Sequence, residues 1–243
     1  KYIGQLALYL NDCPQVQKRI NTLEYTKNSL EKLFKNYYSL SQKDTRFEHK
    51  TEKISTEVGI TIGISISSIA FGGVSSNNLE RANFDSSIDP AFGFFLDAIL
   101  PRNQGRISIY NELLITSYKV KGEYPINNTR NSSYGLKIGV TSLKMNNMVR
   151  YKYPVGKAFI FGNVGVGNGI TISETNSMTF ENTDFGKALS STRKHEIGVL
   201  VGLGAKYKKY SFEARYESSK GISDFITLSS KTRRVYFMFG YRF

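Results

Sequence analysis

Tryptophan is absent, cysteine occurs once, histidine twice and proline only five times in 243 residues. The single thiol, Cys13, closes no intrachain disulfide, which excludes a disulfide-stapled secreted scaffold. His49, His195 and Cys13 lie far apart, so no metal site is expected. No run of 18 or more apolar residues exists, which excludes a helical membrane span. Acidic residues are also scarce: 20 Asp+Glu against 33 Lys+Arg give a formal charge of +13 and a pI near 9.6. That charge is spread along segment ends without an RNA or DNA motif, so nucleic acid is not expected as a partner. The glycines at 162, 165, 167 and 169 lie in a strand-like run with no helix after it, so no phosphate loop or dinucleotide fingerprint forms and no cofactor is expected. The chain opens at Lys1 without an initiator Met or a signal peptide, and an upstream region removed by processing or truncation is expected.

What is present is 40% hydrophobic and 13% aromatic residues, enough for an ordered core. The mean hydropathy of −0.32 does not argue against a membrane, because strands with one lipid-facing side average out to such values.

The text changes near residue 50. In residues 1–50, Leu6 and Leu10, then Val16, Ile20 and Leu23, then Leu30, Leu33, Phe34 and Tyr37 recur at helical spacing. Asn11-Asp12 ahead of Pro14 reads as one helix start, and Thr26 or Asn28 as the next. This segment carries nine Lys/Arg and five Asp/Glu and reads as a helical connector with solvated basic faces.

In residues 51–243 the period becomes two. Val58, Ile60, Ile62, Ile64 and Ile66 alternate with Gly59, Thr61, Gly63, Ser65 and Ser67. Eight segments of this kind occur, at about 54–71, 91–100, 106–120, 134–153, 157–171, 194–207, 209–217 and 233–243. In the sixth, Val199, Val201 and Leu203 share one face opposite Glu196. In the last, Phe237, Phe239, Tyr241 and Phe243 oppose Arg234, Tyr236, Met238, Gly240 and Arg242. The fifth is too Gly-rich and apolar for its faces to be assigned. Connections alternate between tight turns (Pro101–Gly105, Pro154–Lys157, Lys208-Lys209) and long polar stretches at about 72–90, 121–133, 172–193 and 218–232. The pattern predicts an eight-stranded antiparallel up-and-down transmembrane β-barrel of the outer membrane.

Eight strands enclose only enough space for side chains, so the small and charged face must point in and the bulky apolar face must meet lipid. Asp97, Glu112, Glu196 and Glu213 then pair inside with Arg150, Arg215, Arg234, Arg242 and Lys206, as a structural filling rather than a catalytic set. Tyr151, Tyr153, Tyr207, Tyr210, Tyr241 and Phe243 fall at the short-turn end, where an aromatic girdle belongs. Lys50, Lys53, Arg102, Arg106, Lys152, Lys157, Lys206, Lys208, Lys209 and Arg242 gather at that rim as a basic collar able to meet lipid headgroups or an acidic partner. An even strand count returns the chain to its starting side, which places the helical segment in the periplasm. A soluble lipocalin-type carrier, which needs an apolar cavity and polar strand exteriors, is the alternative fold.

From about Ile54 to Phe243 the chain resembles the outer-membrane β-barrel domain family of Bacteroidota, the OmpX-like or PorT-like porin-family barrels. The resemblance rests on Tyr151-Lys152-Tyr153-Pro154-Val155-Gly156-Lys157, on Phe161-Gly162-Asn163-Val164-Gly165-Val166-Gly167, and on the ending Tyr236 to Phe243. It implies that Tyr241 and Phe243 form the signal read by the barrel-assembly machinery during biogenesis. It also implies outer-membrane lipid or lipopolysaccharide as surroundings. Eight strands leave no aqueous channel, so a diffusion porin is not expected. The expected role is non-enzymatic: an accessory or scaffold subunit bound to other outer-membrane or periplasmic proteins through its helices, basic rim or barrel wall. Two alternatives stand beside it, a lipid or peptide hydrolase with a rim site at His195, Ser190, Ser191 and Glu196, and an adhesion or ligand-binding barrel using the long loops. On an SDS gel the unheated chain should run at a different position from the boiled chain; one position regardless of heating overturns the barrel.

Overall fold

A computed structural model describes residues 2–41, 53–73, 79–125, 133–180, 183–225 and 227–243. The expectations for His49 and Lys50 lie outside the described residues, as does the side chain of Arg102. The chain divides into two units, Lys1–Glu52 and Lys53–Phe243.

The first unit holds α1 (Tyr2–Tyr9), α2 (Pro14–Ile20) and α3 (Lys27–Leu40). Their apolar stripes meet in one small core of Leu10, Val16, Ile20, Leu33 and Tyr37, with Cys13 packed against it as a free thiol. Thr26 caps α3 by accepting from the Ser29 amide at 3.3 Å. The Asn11-Asp12 cap expected for α2 does not form. Cys13 occupies that position, and Asp12 instead accepts from the Tyr37 hydroxyl at 2.6 Å, a tertiary bond that outcompetes the local one.

The second unit is built from β1 (Ser55–Gly73), β2 (Asn83–Phe84), β3 (Ser87–Ile99), β4 (Ile107–Pro125), β5 (Ser133–Val155), β6 (Ala158–Phe180), β7 (Thr183–Gly186), β8 (His195–Tyr207), β9 (Tyr210–Lys220) and β10 (Leu228–Arg242). Eight of them close a ring in the order β1-β3-β4-β5-β6-β8-β9-β10, every neighbour antiparallel and β10 returning to β1, while β2 and β7 are short additions to β4 and β6. Closure leaves no unpaired edge around the ring. The first and last strands pair from Gly59↔Arg242 to Gly73↔Leu228, so both ends of the barrel chain lie at the short-turn end. The β5–β6 turn is the two-residue Gly156-Lys157, where Gly156 supplies the positive φ of 60°.

Two expectations change, and one assignment the sequence left open is made. The strands run further than the sequence pattern indicates: β4, β5 and β6 continue through 121–125, 133 and 172–180, because cross-strand pairing extends to Pro125↔Ser133 and Tyr134↔Phe180 beyond the apolar stripe. The unassigned fifth segment, β6, turns Phe161 and Asn163 inward and Ile160, Val164 and Val166 outward. The lumen is also not lined by small and polar groups alone. Phe95, Tyr110, Leu114, Tyr118, Met148, Phe161, Leu200, Tyr236 and Met238 are buried within it, and Phe95, Leu114, Met148, Phe161, Leu200 and Met238 lie against inward glycines: a Cβ at Gly59 would lie 2.6 Å from the Phe95 ring, and one at Gly204 would overlap Phe161.

At the long-loop end, Ile69, Tyr118, Val120, Leu136, Ile138 and Leu228 from the strands close over Leu79, Leu189 and Ile222 from the connections. The Asn176 amide brackets Leu189, donating to its carbonyl at 2.7 Å and accepting from its N–H at 2.9 Å. An apolar cap therefore sits where free polar loops were expected. Gly204→Ala should lower the stability of the barrel in lipid by about 1–3 kcal/mol through overpacking against Phe161. Gly72→Ala, whose Cβ would meet nothing closer than Ser229 Oγ at 3.9 Å, should be nearly neutral. Urea titration of vesicle-folded protein reads both, and equal behaviour of the two variants overturns the packing.

Candidate functional site

Strand alternation sends two different surfaces to the two sides of the wall. Outward lie Val58, Ile60, Ile62, Ile64 and the half-buried Ile66 on β1, Val199, Val201 and Leu203 on β8, and Phe237 and Phe239 on β10, with Leu203 69% and Phe94 67% exposed. An exposed apolar band of this extent around the whole ring is far beyond what a water-facing surface carries. At the short-turn end Tyr151, Tyr153, Tyr207, Tyr210 and Phe243 are exposed, and Tyr241 packs between Tyr210, tilted at 5.5 Å, and Phe243, edge-on at 6.0 Å. Apolar belt and aromatic girdle together fit hydrocarbon and its interface.

Inside, the buried charged residues number five carboxylates (Asp97, Glu112, Glu196, Glu213, Glu217) and five cations (Lys144, Arg150, Lys152, Arg215, Arg234) among the described residues. This set is neutral, so the excess charge of +13 lies elsewhere in the chain. Arg150 joins the short-turn half of the lumen. Its guanidinium lies 3.6 Å from Asp97, donates to Glu213 at 3.2 Å and to Asn163 at 2.8 Å, and is sandwiched between the Tyr110 and Phe161 rings at 3.8 and 4.1 Å. Lys152 bonds Asp97 at 2.7 Å. At mid-lumen Arg215 bonds Glu213 at 2.7 Å and pairs with Glu112, whose carboxylate also accepts from Asn146 at 2.9 Å and Thr61 at 3.0 Å. Towards the cap, Arg234 grips Glu196 through two nitrogens at 2.5 and 3.1 Å and reaches Glu217 at 3.3 Å. Glu217 also pairs with Lys144 and accepts from the Tyr236 hydroxyl at 2.8 Å.

Seven of the nine residues expected in the lumen are therefore buried in it, and Arg242 and Lys206 are not. Arg242 sits half-buried at the short-turn rim, where it and Lys206 both bond Glu57. Lys152 and Lys206, expected on an exposed basic collar, are turned inward by strand parity and consumed by Asp97 and Glu57. Sequence reasoning missed Glu57 and Lys144, and it placed Tyr236 and Glu217 on the inward faces of their strands without assigning them partners. The available signal was parity, since Lys144 shares a face with Arg150, and Glu217 with Glu213 and Arg215.

His195 is exposed while Glu196 points inward and is held by Arg234 and Ser219, so the two do not converge. Ser190 and Ser191 are exposed, and Ser191 donates to Asp224 at 3.4 Å. Beyond the belt, hydrogen bonds from Lys194 and Thr192, each 2.7 Å, hold the Glu174 carboxyl below the usual carboxylate range. Among the described residues no group of three His, Cys, Asp or Glu is placed to hold a metal, and no helix is long and apolar enough to cross a membrane.

The architecture is that of an eight-stranded outer-membrane-type β-barrel with a side-chain-filled lumen. The chain is similar in structure to OprG of Pseudomonas aeruginosa, at 16% identity over 78% of this chain and 97% of that one, with a TM-score of 0.42. It is similar to Ail of Yersinia pestis, in complex with the heparin analogue sucrose octasulfate, at 13% identity over 78% and 99% with a TM-score of 0.40. It is also similar to the Neisserial surface protein NspA, at 10% identity over 79% and 100% with a TM-score of 0.39. No family model matches the chain, and no curated protein sequence matches it. The strand register described above carries the fold.

Removing one member of the lumen set leaves uncompensated buried charge. Arg215→Met should cost about 3–5 kcal/mol in lipid, and adding Glu112→Gln should recover part of it. Urea titration in vesicles measures both; a neutral Arg215→Met overturns the network as a load on the fold.

Proposed function

We propose that this chain is a non-enzymatic, non-conducting barrel of the outer membrane that serves as an accessory or scaffold subunit of a larger envelope assembly, with its N-terminal helices in the periplasm. The observation that carries the reading is the lumen itself: a neutral, cross-paired charge set below an apolar cap fills the space that a conduit or an internal active site would need. Only surfaces remain for function, namely the wall, the two rims and the helices. The periplasmic side follows from the short turns and from both barrel ends lying together at that side. Membership of the Bacteroidota OmpX-like or PorT-like barrels belongs to the same proposal and rests on the motifs at 151–157 and 236–243. So does recognition by the barrel-assembly machinery, for which the exposed Phe243 beside Tyr241 is the suited signal.

A second reading, adhesion, has one observation in its favour. The tip of the β4–β7 extension carries an aromatic cluster in which Tyr134 contacts Phe180 at 5.0 Å and Phe185 at 6.1 Å, with Phe185 exposed.

Mild-detergent extraction from native membranes should yield a species well above the 27.4 kDa chain, together with discrete partner proteins. Planar bilayers containing the pure chain should show no stable conductance steps. A monodisperse monomer that hydrolyses lipid or peptide, with activity lost in His195→Ala, overturns the proposal in favour of an enzyme.

A further inference from the structure

Among the described residues, the outward belt is polar in one place. Asn111 on β4, Asn147 on β5 and Asn168 on β6 point outward, flanked along their strands by Ile109 and Leu113, Met145 and Val149, and Val166 and Ile170. Asn111 and Asn147 are direct cross-strand partners, and Asn168 pairs with Met145, one outward position along from Asn147. The three amides thus form a row across adjacent strands, with Asn111 midway along the outward stretch from Ile107 to Ile115. Among the described residues none of them has a side-chain hydrogen bond. Acyl chains supply neither donor nor acceptor, so a carboxamide at this depth gives up its water and receives nothing in return.

Above the belt, the same wall turns out Lys119 and Lys121 from β4 and Lys137 from β5. Lys121 and Lys137 stand directly opposite each other, an arrangement that a ladder disfavours without a counter-charge, and none of the three lysines has an ion pair among the described residues.

We infer that the β4–β6 wall is the docking face for a membrane-spanning protein that presents hydrogen-bonding side chains at mid-bilayer and acidic side chains at the level of the lysines. This rests on the accessory-subunit reading and specifies its partner. A second copy of the chain would satisfy the amides, each of which donates and accepts, but a two-fold contact would bring two sets of Lys119, Lys121 and Lys137 together. A lipid phosphate would satisfy the lysines and leave the amides bare. A protein wall with an acidic rim meets both demands.

The test is photo-crosslinking in whole cells from p-benzoylphenylalanine at Met145, which is exposed beside Asn147 and leaves the amides intact, with Phe237 on β10, across the ring from β5, as the control position. Met145 should give an adduct with a second membrane protein, identified by mass spectrometry as carrying acidic residues at its outer rim, and Phe237 should not. Lys121→Glu with Lys137→Glu should reduce the adduct by about fivefold or more. Asn111→Leu, Asn147→Leu and Asn168→Leu together should abolish it while heat-modifiable migration persists, which separates lost docking from lost folding. An adduct at twice the chain mass overturns the proposal in favour of a second copy. Adducts with lipid only, indifferent to the substitutions, overturn it in favour of bare lipid contact. Native-gel migration as a complex without a protein adduct at Met145 sinks this face but leaves the accessory reading standing; migration as a monomer sinks both.

Discussion

The rest of the molecule depends on which side of the wall the bulky apolar residues take. Once Ile60, Ile62 and Ile64 face hydrocarbon, parity forces Thr61, Gly63 and Ser65 inward, and the same rule applied to β5, β9 and β10 sends Lys144, Arg150, Lys152, Glu213, Arg215, Glu217 and Arg234 into the lumen. Charges withdrawn from water are tolerable only when paired, and the interior meets that condition with equal numbers of the two signs. Ring closure, charge pairing and apolar exterior are three aspects of one constraint.

Much of this was legible in residue order. The alternation from Val58 to Ser67 and from Val235 to Phe243 identified the strands, and the tight connections identified the end at which the first barrel strand begins and the last one finishes. What stayed hidden depends on register. Phe95 and Phe161 are large enough to read as lipid-facing, and only the pairing that sets Gly59 beside Phe95 and Gly204 beside Phe161 shows the space that accepts them. Lys152 reads as a rim residue until β3 brings Asp97 to it. Asp12 reads as a helix cap because the Tyr37 hydroxyl that claims it comes 25 residues later.

The long-loop end follows the same logic in reverse. Past the belt, the outward positions of β4 become Ser117, Lys119, Lys121 and Glu123, while the inward ones become apolar at Tyr118 and Val120. Polarity of the two faces thus inverts along a single strand at the level where hydrocarbon gives way to water. That inversion is why the extension can carry an ordinary water-covered core, with Leu79, Leu189 and Ile222 inside it.

The ion pairs are braces between distant staves. Arg215 of β9 meets Glu112 of β4 from the opposite side of the ring, Lys144 of β5 reaches Glu217 of β9, and Lys206 of β8 reaches Glu57 of β1. A half-formed sheet entering the bilayer would therefore drag orphaned ammonium and carboxylate groups with it, each awaiting a counterpart still in solution. Insertion strand by strand is penalised at every stage except the last, and the barrel is committed to assembling its circumference before its charges leave water.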